Sequence, residues 1–171
     1  MFRTLMIATA WVLYSFSALG SEWEVDESDN FVIASITGNI TNGEKQRFVF
    51  MKNNCERVNH IFSTYTTLRG NLDELKGAIL VIEFNGEEIG TKVLTAKKAM
   101  LGHLIMFDLG TYDKDLLLSH LETKAEITIR FVDGNGYTAS EYFDVPYNEW
   151  STSGISEAFD RAGGLCRGIP D

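Results

Sequence analysis

The dipeptide Asn85-Gly86 restricts the folds open to this chain more than any other feature. Asn and Gly both tolerate positive φ, which a two-residue hairpin turn demands. The pair follows Ala78 to Phe84, a nearly continuous apolar run, and precedes Glu87 to Thr95, which carries Ile89 and Val93. An antiparallel ribbon is expected here, and the same punctuation recurs along the chain. Phe31 to Thr37 reads as a strand with Phe31 and Ile33 on one side and Val32, Ala34 and Ile36 on the other. Gly38 to Glu44, containing Asn42-Gly43, reads as a hairpin connection into Gln46 to Met51. The turn Lys52-Asn53-Asn54 leads past Cys55 to a further alternating run, Arg57 to Thr66. Ala99 to Leu101 and His103 to Leu109 read as another strand pair around Gly102.

Lys124 to Val145 suggests one more hairpin. Ile127, Ile129 and Phe131 alternate with Glu126, Thr128 and Arg130, the period of a half-buried strand. Asp133-Gly134-Asn135-Gly136 allows a reversal, and Tyr137 to Val145 is expected to return as the second strand. Short helices flank this ribbon, which places it near the centre of the fold. Thr111 or Asp113 can cap Asp115 to Glu122, and Leu117, Leu118 and Leu121 share one side of that helix. Ser151 or Ser153 can cap a last helix, in which Ile155, Ala158, Phe159 and Ala162 follow helical spacing before Gly163-Gly164 ends it. The expected class is mainly β: an antiparallel β-sandwich, or a partly closed barrel, of about eight short strands. One or two short helices complete it, the last at the C-terminus.

Residues 1–20 have the form of an export signal. Arg3 supplies a positive start, Leu5 to Phe16 an apolar run, and Ala18-Leu19-Gly20 the small residues of a cleavage site. The expected mature protein is a single domain, residues 21–171, in the periplasm or secreted. Loss of Arg3 moves the formal charge from −9 to −10. So acidic a chain argues against nucleic acid, whose phosphates need Lys and Arg, and against anionic membrane surfaces. A cationic protein partner is permitted, and no membrane insertion is expected after the signal is removed. Asn39-Ile40-Thr41 has the form of a glycosylation acceptor.

Chemistry is sparse. His60, His103 and His120 lie in separate segments without ligand spacing, so structural or surface roles are expected. No metal or cofactor is expected, and no nucleophile elbow, phosphate loop or dinucleotide fingerprint is present. Asp73/Glu74 and Glu87/Glu88 flank turns, where solvated acids are ordinary. Tyr142, Tyr147 and Trp150 form a possible binding surface; packing beneath the last helix is the plainer reading of the latter two. Cys55 and Cys166, the two cysteines, admit one intramolecular pairing, and export makes a disulfide the expectation.

The last third also has a recognisable cadence. It runs from Asp115-Leu116-Leu117 through Ile127-Thr128-Ile129-Arg130-Phe131, Asp133-Gly134-Asn135-Gly136 and Phe143-Asp144-Val145 to Gly154-Ile155-Ser156-Glu157-Ala158-Phe159 and Cys166. This resembles the tail of the invasion-associated locus B family and similar bacterial envelope proteins. The resemblance implies an exported, non-enzymatic protein and carries over no functional residue. The expected function is binding or an accessory role at the bacterial envelope or a host-contact surface. The alternatives are a periplasmic or cell-surface hydrolase whose carboxylates converge only in the fold, and an inhibitor of a basic secreted enzyme.

Overall fold

Period-two alternation gives each strand one apolar side, and these sides converge on a single interior. Val32, Ala34 and Ile36 face the same way as Phe48 and Phe50 on the neighbouring strand, and all five are fully buried. The computed structural model describes residues 22–38, 44–68, 72–99, 101–134 and 136–169. The leader and the Asn39-Ile40-Thr41 triplet lie outside the described residues. The strands are β1 (Glu24–Glu27), β2 (Phe31–Thr37), β3 (Lys45–Met51), β4 (Asn54–Thr66), β5 (Ile79–Phe84), β6 (Glu87–Ala99), β7 (Gly102–Asp113), β8 (Glu126–Phe131) and β9 (Tyr147–Ser151). The helices are α1 (Lys114–Glu122), α2 (Ala139–Tyr142) and α3 (Ile155–Cys166), with a 3-10 turn at Leu72–Leu75.

The fold is mainly β, and of the two forms expected the partly closed barrel is the one found. All nine strands belong to one antiparallel sheet, in the order β1-β2-β3-β4-β7-β6-β5-β8-β9, which curls around its own apolar face. Two packed sheets are not needed, because aromatic side chains fill the curl. Phe62 stacks on Phe107 at 4.4 Å, and Phe131 stacks on Phe143 at 3.7 Å. The sheet's two ends approach each other beside Gly38. A Cβ there would lie 2.9 Å from Trp150 Nε1 and 3.0 Å from Glu44 Oε2, so only glycine leaves room. The buried Asn148 amide on β9 donates to the buried Glu44 carboxylate just before β3, a polar clasp across the opening.

The Asn85-Gly86 hairpin forms as expected, with φ of 49° and 87° at the two turn residues. Its second strand runs much further than Thr95. It reaches Ala99, so Ala99 to Leu101 is no separate strand; the chain turns there directly into β7. Gly102 makes that turn possible, since a Cβ would lie 2.2 Å from the Thr66 carbonyl oxygen.

The second hairpin is corrected. Tyr137 to Val145 does not return as a strand; β8 pairs with β5 on one side and with β9 on the other, at one end of the sheet and away from its centre. Asp133 Oδ1 accepts from the Ala139 amide at 2.8 Å and starts α2. The segment then crosses the end of the barrel, buries Phe143, and reaches Thr67, whose hydroxyl donates to Asp144 at 2.6 Å. Pro146 directly precedes β9. Its missing N–H falls outside β9, and its carbonyl accepts from the Phe131 amide at 2.8 Å.

Asp113 caps α1 as expected, accepting from the amides of Asp115 and Leu116, both at 3.1 Å. Helix α3 differs at both ends. Gly154, with φ of 81°, occupies its N-cap in place of a serine, and the helix continues through Gly163-Gly164 to Cys166. It buries Ile155, Ala158, Phe159 and Ala162 against the inner face. Cys55 and Cys166 are disulfide-bonded with Cα atoms 5.8 Å apart, tying the start of β4 to the end of α3.

Candidate functional site

A cleft of about 620 Å³ opens between α1 and the β5–β6 turn, at one mouth of the half-barrel. Its walls come from five elements and the Thr123 turn: His60 on β4, Phe84 on β5, Glu87 and Ile89 on β6, Tyr112 on β7, and Leu116, Leu117, Ser119 and His120 on α1. Local sequence explains the frame. The Asp113 cap starts a helix immediately where β7 ends, so α1 folds back over the barrel mouth and buries Leu117 and Leu121. Leu116, on the same helix, stays 69% exposed at the rim. Opposite, Asn85 fixes the turn to β8: its Oδ1 accepts from the Thr128 backbone amide at 2.8 Å, and its backbone N–H donates to the Thr128 carbonyl at 3.0 Å.

A β-bulge shapes the floor. The β4–β7 register shifts between His60 and Ile61, and Gly110 opposite adopts φ of 110°. Bulges re-aim side chains next to sites, and this one sits beside His60. The imidazole is almost fully buried between Phe48 (ring centroids 4.4 Å apart) and Phe84 (5.6 Å), and its Nε2 lies 2.7 Å from Gln46 Oε1. Burial without an acid beside it pushes the His60 pKa down to about 3. Tyr112 donates its hydroxyl to the Leu109 carbonyl at 2.5 Å; burial and the nearby Asp108 charge push its pKa up.

The wall therefore offers shape and apolar surface with a few polar edges. Ser119 donates to the Leu116 carbonyl at 2.9 Å and Thr123 to the His120 carbonyl at 2.7 Å, so their oxygens remain available as acceptors. Among the described residues, Glu87 is the one carboxylate on the wall. A histidine that stays neutral down to about pH 3 is a poor general base, since efficient bases titrate near the working pH. No cluster of three metal-ligating side chains occurs among the described residues. The fold brings His120 onto the same cleft wall as His60, whereas His103 is not on that wall.

The aromatic surface is corrected at Trp150. Tyr147 and Trp150 lie three apart on β9, so they point to opposite faces. Trp150 faces inward and is fully buried. Tyr147 faces outward, with the Arg130 guanidinium 5.1 Å from its ring centre and its hydroxyl 3.1 Å from Glu149 Oε2. Tyr142 stacks on Tyr137 at 5.5 Å in the crossing segment. The three residues do not form one patch. Sequence reasoning missed the cleft because its residues are scattered from 60 to 123. The local signals were the Asp113 cap and the unpaired apolar Leu116.

No known protein family matches this chain, and neither a curated protein nor a solved structure shows significant similarity to it.

Proposed function

We propose that this is an exported, non-catalytic binding protein that takes a small, largely apolar molecule into the α1 cleft. The observation that carries the reading is the combination of a cleft of ligand size with a floor histidine held neutral by burial. Mouths of curled sheets are common ligand sites, and an apolar wall with a few acceptors suits an aromatic or aliphatic body bearing one donor group. Export is supported by the leader-like first twenty residues, and the disulfide is compatible with it. The likeness of the last third to exported envelope proteins points the same way, toward an accessory role at the cell envelope.

Titration with the fluorescent apolar probe 1-N-phenylnaphthylamine tests the proposal. Saturable binding at one site is expected, weakened about tenfold or more by Leu116→Arg, which places a charge at the rim without touching the core. Absence of saturable binding, or binding indifferent to Leu116→Arg and Ile89→Arg alike, would sink it.

A further inference from the structure

The charge of this chain is unevenly distributed, and one ribbon reverses its sign. Strand β6 begins with Glu87 and Glu88 and ends with Lys92, Lys97 and Lys98. Beyond Lys92, the register partner of Ile79, β5 no longer accompanies it, so Leu94 to Ala99 form an outer edge. Outside the ribbon, Lys45 pairs with Glu24, Lys52 with Glu27 and Lys114 with Asp115, and Lys124 alone has no ion pair among the described residues. Lys76, Lys92, Lys97 and Lys98 make no ion pair among the described residues, although acids outnumber bases 24 to 15 in the chain. Apolar side chains of the same ribbon are exposed as well: Ile79 at 75%, Leu94 at 37%, and Leu101, at the crest of the hairpin, at 93%. The crest is firmly held. Tyr65 donates its hydroxyl to the Ala99 carbonyl at 3.2 Å, and Gly102 lies against the Thr66 carbonyl.

We propose that this hairpin tip docks the protein on an anionic lipid surface. Leu101 enters the headgroup layer, and Lys97 and Lys98 meet lipid phosphates, with Lys92 and Lys76 behind them. Edge lysines alone guard a sheet against strand pairing. A guard has no use for a leucine at the most exposed point of the ribbon, whereas interfacial docking needs apolar and cationic groups side by side. A bilayer also accepts a narrow convex tip, while a protein interface needs area that a single leucine does not supply. The net negative charge then orients the molecule, because the acidic end of β6 and the remaining surface turn away from the lipid. Docking is independent of the cleft and of what it binds.

Sedimentation of the purified, disulfide-intact protein with vesicles tests this. At low ionic strength it should bind phosphatidylglycerol–phosphatidylcholine vesicles and leave phosphatidylcholine vesicles alone. Each lysine at an anionic surface is worth about a factor of five, so Lys97→Gln with Lys98→Gln should weaken partitioning about 25-fold. Leu101→Ser should weaken it about tenfold and leave the salt dependence unchanged. Lys124→Gln, which removes an unpaired lysine outside the ribbon, should leave it unaltered. These side chains are exposed, so unchanged melting temperatures confirm folding. Equal binding to both vesicle types, no binding, or tip variants that behave as wild type would each overturn the proposal. Binding to polyglutamate but to neither vesicle would assign the ribbon to an acidic protein and overturn it as well.

Discussion

Gln46 Oε1 lies 2.7 Å from His60 Nε2 inside the half-barrel, and an amide oxygen can only accept. The contact therefore places a proton on Nε2, and burial keeps the other ring nitrogen unprotonated, so the imidazole is neutral. Protonating His60 would bury a charge between two aromatic rings, Phe48 and Phe84, with no acid to receive it.

That relationship gives stability a pH dependence with a definite sign. In the unfolded chain His60 takes up a proton near its ordinary pKa of about 6.5. In the folded protein it stays neutral until about 3. Between those values the unfolded state binds more protons, so stability is full above about pH 6.5 and falls as the pH is lowered. The slope from this one group is about 1.4 kcal/mol per pH unit. Urea midpoints of wild type and His60→Gln from pH 7 to pH 4 check it, and the variant should show a shallower decline. Parallel curves would show that His60 titrates normally.

Phe159 anchors α3 to the sheet. It is fully buried, with edge contacts to Phe48 at 4.9 Å and Phe50 at 5.4 Å. Phe159→Ala should lower stability by about 3–5 kcal/mol through lost burial and the cavity left behind. Chemical denaturation measures it; a shift below about 1 kcal/mol would mean that α3 contributes little to the core.

The disulfide joins residues 111 apart in sequence. Constraining so long a loop in the unfolded chain is worth about 4–5 kcal/mol in the chain-entropy model. The double variant Cys55→Ser, Cys166→Ser should therefore unfold at markedly lower urea. Thiol titration of the unreduced, denatured wild-type protein should find no free thiol.

The leader reading makes a prediction about mass. Protein recovered from the cell envelope or medium should lack about twenty N-terminal residues. Full-length mass in the cytosol would contradict the leader reading of Arg3, Leu5 to Phe16 and Ala18-Leu19-Gly20.

Features fixed by local chemistry were legible in the sequence. Asn85-Gly86 dictated its turn through positive φ, Asp113 its cap through a side-chain acceptor, and α3 its buried face through helical spacing. Tyr137 to Val145 misled because its alternation belongs to a segment that crosses the barrel end. There Phe143 stacks on Phe131, and the bond from Ala139 to Asp133 outweighs strand propensity. Trp150 was misplaced for a related reason: Tyr147 to Ser151 was not read as a strand, and once it pairs with β8, residues three apart face opposite ways, Trp150 inward and Tyr147 outward. The cleft was illegible for a different reason. Only the strand order, with β7 beside β4 and β6 beside β7, brings His60, Ile89 and Tyr112 together.

The bond between Cys55 and Cys166 makes most of this protein a covalent ring. A protease that cuts one exposed loop between those positions, at Asn85-Gly86 or at the Leu101 crest, releases nothing. Both fragments remain joined through sulfur, and the sheet can hold them in register. Nicked protein would then run as one band without reductant and as two with it. In a compartment rich in proteases, such a molecule keeps its shape after damage that would dismantle an open chain.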